Sequence, residues 1–286
     1  MEILQRVADL MQSRPVNFQS AHGGYTLAQK GRVVFDSGQA AFLKAASSDE
    51  TAGWLRTEYA VYSHLSANTK VDFLPKVLAW EDDGTHPILI LEDLSAAYWP
   101  PPWDSDHVQR VTDVLSRLRK IEPMPNMTTL ESYRDDLRGW NKIAMHTGSF
   151  LSLNLCTPAW LDAALPVLIA AESSVDLGGS DFLHLDVRSD NLCFLEDRTI
   201  LIDWNWSCVG NGMFDLAFWL PSLHAEGGPV PESILPNSPE MASAVSGFWA
   251  AQAGLPPHGS RLRQVQLTAL KTAFPWTVRA LGLPPI

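Results

Sequence analysis

The chain has 286 residues, of which 46% are hydrophobic and 19% charged, with a formal net charge of −11. That much apolar material builds one large domain or two lobes and excludes a disordered or fibrous chain. The acidic balance, with no lysine or arginine run, disfavours a nucleic-acid partner or an anionic membrane surface, both of which need basic patches.

At the N-terminus, residues 1–14 are amphipathic and lack the continuous apolar core of a secretory signal, so a cytoplasmic location is expected. Short β-prone runs follow at 26–30, 32–35, 40–45, 76–80 and 87–91. The pairs and triplets Lys30-Gly31, Asp36-Ser37-Gly38 and Asp82-Asp83-Gly84 supply turn residues between them. One helix interrupts the strands at 49–65, where Trp54, Leu55, Tyr59, Tyr62 and Leu65 recur at helical spacing. The proline and tryptophan cluster Tyr98-Trp99-Pro100-Pro101-Pro102-Trp103 reads as a crossing loop. Downstream the periodicity turns helical at 104–120, 130–145, 158–171, 215–220, 239–253 and 261–281, broken only by a hairpin, 191–195 and 199–203. This order describes an α+β chain of two lobes: 1–94 rich in strands, with one main helix, and 95–286 mostly helical, with a ligand cleft between them. Cys156, Cys193 and Cys208 are odd in number and lack metal-site spacing, so reduced thiols are expected.

The strongest chemical signal is His184-Leu185-Asp186-Val187-Arg188-Ser189-Asp190-Asn191, followed by Leu201-Ile202-Asp203-Trp204. A kinase catalytic loop carries His, then Asp two residues on and Asn five after that, then a hairpin ending in a metal-binding Asp. With Phe214-Asp215-Leu216-Ala217 further on, the chain resembles the aminoglycoside phosphotransferase-like family of small-molecule kinases, strongly over 182–220 and loosely elsewhere. Leu185 stands where that family usually has glycine, and Asn205 where it often has glutamate.

The resemblance implies a bilobal protein-kinase-like fold, with a small antiparallel-sheet N-lobe, and a set of roles. Asp186 orients the acceptor hydroxyl and takes its proton; Asn191 and Asp203 hold Mg²⁺; His184 and Asp215 brace the loop. Arg188 either steadies the transferring charge or is a solvated loop arginine. In the first lobe, Lys44 in Ala41-Phe42-Leu43-Lys44-Ala45 and Glu58 in the next helix form the pair that holds α- and β-phosphates. Gly23 and Gly24 lie at the phosphate-covering turn, and the backbone of Glu92 and Leu94 faces a purine, which leaves ATP and GTP equally open.

The function implied is transfer of a phosphoryl group from Mg·ATP to a hydroxyl of a small metabolite or natural product. No carboxylate follows Glu240, where Arg261, Arg263, Lys271 and Arg279 stand instead. A polycationic aminoglycoside is therefore disfavoured, because its ammonium groups need carboxylate partners once desolvated. Trp219, Phe248, Trp249 and Trp276 suit a neutral, partly apolar acceptor. Two alternatives stay open: a kinase-fold protein that binds nucleotide or a partner without transfer, and an aminoglycoside or other antibiotic kinase. No Ala-Pro-Glu segment follows Asp203, which sets a protein kinase aside. Oligomeric state is not legible.

Overall fold

Ile3, Val7, Leu10 and Met11 share one face of the N-terminal segment, and that face covers one side of a sheet. The computed structural model describes residues 2–21, 29–67, 71–253, 255 and 260–286. In chain order, α1 (Glu2–Met11) leads into β1 (Pro15–Ser20), β2 (Gln29–Phe35) and β3 (Ala40–Ala45), then α2 (Asp49–Ser66), β4 (Val77–Glu81) and β5 (Ile88–Glu92). Next come α3 (Ser105–Leu118), a 3-10 turn at Leu130–Tyr133, α4 (Gly139–Met145), α5 (Gly148–Leu151) and α6 (Pro158–Ser174). The remainder is β6 (Asp181–Leu183), β7 (Leu192–Leu195), β8 (Arg198–Leu201), a 3-10 turn at Trp204–Trp206, β9 (Cys208–Gly210), α7 (Met213–Ala225), α8 (Pro231–Ile234), α9 (Pro239–Ala253) and α10 (Ser260–Ala280). No helix among the described residues is long and apolar enough to cross a membrane.

The chain divides into two compact units, Met1–Pro100 with Asp190–Trp206, and Pro101–Ser189 with Ser207–Ile286. In the first, five antiparallel strands run in the order β1-β2-β3-β5-β4. Period-two alternation sends Ala41, Leu43 and Ala45 of β3 under α1, with Val33, Phe35, Ile88 and Ile90. It turns Lys44 to the opposite face. Helix α2 starts on a capping box, in which Ser48 Oγ accepts from the Thr51 N–H while Thr51 Oγ1 accepts from the Ser48 N–H.

Two features differ from the sequence expectation here. Lys30-Gly31 is not a turn: β2 runs straight through it, and β1, which was not anticipated, lies alongside. A Cβ at Gly31 would come 2.3 Å from the Gln19 carbonyl oxygen, so this glycine serves close strand approach rather than a reversal. The boundary expected after residue 94 also falls elsewhere, because the β7–β8 hairpin packs with the first hundred residues. Tyr98 and Phe194 exchange backbone hydrogen bonds of 2.8 and 2.9 Å, and Leu201 N–H donates to Phe73 O. The Arg198 guanidinium clasps the Asp72 and Leu74 carbonyls and the Glu92 carboxylate.

The second unit is built on α4, α6, α9 and α10 around Trp140, Phe150, Leu161, Leu168, Leu270 and Phe274. The helix expected over 130–145 is two pieces, a 3-10 turn at Leu130–Tyr133 and α4, whose first residue, Gly139, lies where a Cβ would fall 1.8 Å from the Gly247 carbonyl oxygen. The buried Glu172 carboxylate caps that second piece, accepting the N–H groups of Trp140 and Asn141 at 2.9 and 2.8 Å. The β6–β9 pair, three residues a side, is too short to leave a periodic signal.

All three cysteines are free thiols. Burial pushes Cys193 and Cys208 up to about 12, and also raises half-buried Cys156. Since the thiolate is the reactive form, Ellman's reagent at pH 8 is expected to label at most Cys156 rapidly in the folded protein, and all three after denaturation. Fast labelling of Cys193 or Cys208 in the native state would contradict their burial.

Candidate active site

Lys44, on the sheet face away from α1, meets α2. Its Nζ lies 2.7 Å from both carboxylate oxygens of Glu58 and 3.5 Å from Asp203 Oδ1. Burial works against the charge on Lys44, yet the Glu58 and Asp203 carboxylates outweigh it and raise the pKa above the ordinary lysine value. Glu58, 1% exposed, also accepts from the Tyr62 hydroxyl at 2.8 Å and the Asp203 N–H at 3.3 Å. A buried carboxylate persists only when its charge and lone pairs are matched in this way.

Asn191 and Asp203 stand at the open end of the β7–β8 hairpin, where Ile202 N–H donates to the Asn191 carbonyl at 2.9 Å. Asp203 takes a positive φ of 67°, and its Oδ1 accepts from Asn205 Nδ2 at 2.8 Å. Among the described residues no three His, Cys, Asp or Glu side chains converge as a metal site. Two oxygen donors, one of them a carboxylate, do fit Mg²⁺, which takes few protein ligands and fills its shell with phosphate and water.

The loop bearing Asp186 belongs to the second unit. Three consecutive amides there are each held by a side chain: His184 N–H and Leu185 N–H donate to the two oxygens of Asp215, at 3.1 and 2.7 Å, and Asp186 N–H donates to His184 Nδ1 at 3.2 Å. His184 and Asp215 are both fully buried. Leu185 adopts a φ of 60°, the left-handed conformation that favours glycine, so these three bonds hold the backbone against a steric penalty. Arg188 Nε lies 3.6 Å from Asp186 Oδ1. Ser189 Oγ donates to Glu226 at 2.6 Å, and the other Glu226 oxygen accepts from Trp103 Nε1 at 2.8 Å. Trp103 packs edge-on against the buried Trp219.

Burial pushes the Asp215 carboxyl up to about 7, against the pull of the Leu185 and His184 amides and the Arg119 charge. Between the ordinary carboxylate value and about 7, the folded protein keeps a proton that the unfolded chain has released. This residue's contribution to stability is therefore present at low pH and lost as pH rises through that window. Relative to Asp215→Asn, wild type is expected to lose roughly 2–3 kcal/mol of stability between pH 5 and pH 8 in denaturant titrations. An unchanged gap would mean that Asp215 ionises normally.

The structure thus gathers Lys44, Glu58 and Asp203, with Asn191 at the same hairpin end, and separately gathers His184, Asp186, Arg188 and Asp215. Gly23 and Gly24 lie outside the described residues. At Glu92 the N–H donates to the Lys76 carbonyl and the side chain binds Lys76 N–H and Arg198. The Leu94 carbonyl accepts from Ala97 N–H and Trp99 Nε1. Sequence reading missed Tyr62, legible in principle as the i+4 neighbour of Glu58, and missed the Ser189–Glu226–Trp103 set, which no local pattern announces. Of the aromatics expected to suit an acceptor, Trp219 and Trp276 are core residues.

Solved structures resemble the whole chain. A choline/ethanolamine kinase family protein from Mesorhizobium loti aligns with a TM-score of 0.62 at 14% identity, covering 98% of this chain and 97% of its own. Spectinomycin phosphotransferase in complex with ADP and spectinomycin aligns at 0.61 and 14%, covering 99% and 98%. The GDP and kanamycin complex of APH(2″)-IIia aligns at 0.60 and 10%, covering 98% and 99%. These likenesses define the class of fold as protein-kinase-like. Residues 26–235 match the model of the phosphotransferase enzyme family, APH, and the chain belongs to that family. No curated protein matches the sequence significantly.

Proposed function

We propose that this protein is an ATP-dependent O-phosphotransferase that phosphorylates a hydroxyl of a small metabolite or natural product. The observation that carries the reading is the buried Lys44–Glu58 pair joined to Asp203, an arrangement suited to a phosphate chain and a divalent cation. Glu58 fixes the Lys44 ammonium so that it meets the α- and β-phosphates without reorganising. Asn191 and Asp203 would hold Mg²⁺, which when bound neutralises charge on the phosphate oxygens. Asp186 orients the acceptor hydroxyl and takes its proton as the oxygen bonds to the terminal phosphorus and ADP leaves. Arg188, beside Asp186, steadies the negative charge of the transferring group.

The acceptor best supported is neutral or partly apolar rather than polycationic. Of the upstream carboxylates Glu226, Glu232, Asp135 and Asp136, three are already engaged: Glu232 is paired with Arg279 at 2.6 Å, Asp136 with Lys142 at 3.4 Å, and Glu226 accepts two hydrogen bonds. The test is mass spectrometry of a panel of hydroxylated compounds, macrolides and aminoglycosides included, after incubation with Mg·ATP and wild type or Asp186→Asn. Gain of one phosphoryl group with wild type alone supports the reading and names the acceptor class. Modification confined to aminoglycosides would sink the acceptor argument, and failure to bind any nucleotide would sink the kinase.

A further inference from the structure

Residues directly opposite one another in an antiparallel pair project from the same face of the sheet. In the β2–β3 register, Lys30 is opposite Lys44. Two ammonium-bearing side chains therefore stand side by side on the face from which Lys44 reaches Glu58 and Asp203. Their situations differ. Lys44 is matched by carboxylates at 2.7 and 3.5 Å, whereas half-buried Lys30 has no Asp or Glu within ion-pair distance among the described residues. Burial first, and Lys44 second, lower the Lys30 pKa, while Asp203, Glu58 and Asp190 act on it favourably without forming an ion pair.

Like charges directly across a strand pair are destabilising, and a half-buried ammonium without its own counter-ion adds to that burden. Nothing in the packing of β2 calls for a lysine at this position, since the residues β2 sends into the core are Val33 and Phe35. An anion placed before both ammonium groups would relieve the imbalance. We infer that Lys30 is a second phosphate-binding cation of the nucleotide site, which with Lys44 grips the oxygens of a nucleoside di- or triphosphate. This rests on the reading that Lys44 holds the nucleotide phosphates. Lys30 then selects for the phosphate chain and is indifferent to the base.

The test is calorimetric titration of Mg·ADP, Mg·GDP and the matching nucleosides into wild type, Lys30→Met, Lys30→Arg and Lys44→Met, with melting curves of each ligand-free protein. Lys30→Met is expected to weaken the preferred diphosphate about 10- to 100-fold, the loss of one charge-assisted hydrogen bond. Affinity for the nucleoside should not change, and Lys30→Arg should recover most of the loss. The ligand-free Lys30→Met protein should melt no lower than wild type, because a like-charge neighbour has gone. Unchanged diphosphate affinity in Lys30→Met, with affinity lost in Lys44→Met, overturns the role of Lys30 alone. Equal loss for nucleoside and diphosphate, or a lower melting temperature, makes Lys30 a structural residue. Absence of nucleotide binding by wild type removes the underlying reading as well.

Discussion

Replacing Asp186 with asparagine is expected to lower kcat by about 10²- to 10⁴-fold while nucleotide affinity and melting temperature stay near wild type. The substitution keeps side-chain shape and removes only the basic oxygen. The bond that positions residue 186 is made by its backbone N–H to His184 Nδ1, and the two preceding amides are held by Asp215, so the loop survives the change. What is lost is the proton acceptor, and with it the partner that Arg188 approaches at 3.6 Å. Steady-state kinetics with both substrates, beside a melting curve, separate the possibilities. A loss below tenfold would leave Asp186 a positioning group with the proton going elsewhere. A large loss accompanied by a collapse in melting temperature would mean that the carboxylate is structural.

Lys44→Met should damage both activity and stability. The activity loss, on the order of 10²- to 10³-fold in kcat/KM for nucleotide, follows from removing a preorganised cation from the proposed phosphate site. The stability loss follows from Glu58, which is 1% exposed and would keep only the Tyr62 hydroxyl and the Asp203 N–H to offset its charge. Breaking one side of a buried ion pair costs about 3–5 kcal/mol, and those two surviving bonds place this case at the lower end. For a chain of this length that is a fall in melting temperature of roughly 5–10 °C. Lys44→Met with Glu58→Leu should regain much of the melting temperature and none of the activity. A double variant that recovers turnover would show that the lysine acts only through folding.

The loop from His184 to Asn191 and the hairpin after it stand out in the sequence because phosphoryl transfer, the chemistry proposed here, demands particular residue types at fixed chain intervals, and nothing in His184 to Asn191 or in Asp203 depends on distant packing to be noticed. Lys44 was legible for a different reason: a lone charge in an alternating apolar strand has to face away from the core. Elsewhere the same local pattern admits two physical outcomes. Gly31 reads as a turn or as a place of close strand approach, and only the presence of β1 against it decides. The need for glycine at 139, the first residue of α4, comes from the Gly247 backbone, more than a hundred residues away, which packs on it. Glu226 joins Ser189 through tertiary folding alone. Lys30, which the sequence offers as half of a turn pair, takes its meaning from register: it takes the knowledge that residue 30 is opposite residue 44 to see two like charges together.

The first unit is discontinuous in sequence, since Asp190–Trp206 folds with Met1–Pro100 and the intervening stretch does not. This constrains how such a gene can be recombined. A single crossover near codon 94 or 100 would pair one parent's sheet with the other parent's hairpin, parting Arg198 from the Asp72, Leu74 and Glu92 groups it clasps and Asp203 from its own Lys44 and Glu58. Exchange of the unit as a whole needs three junctions, at 100/101, 189/190 and 206/207. Two of them bracket a segment of seventeen residues, so homologous exchange between distant relatives should rarely transmit the unit intact, and point substitution is left as its main route of change.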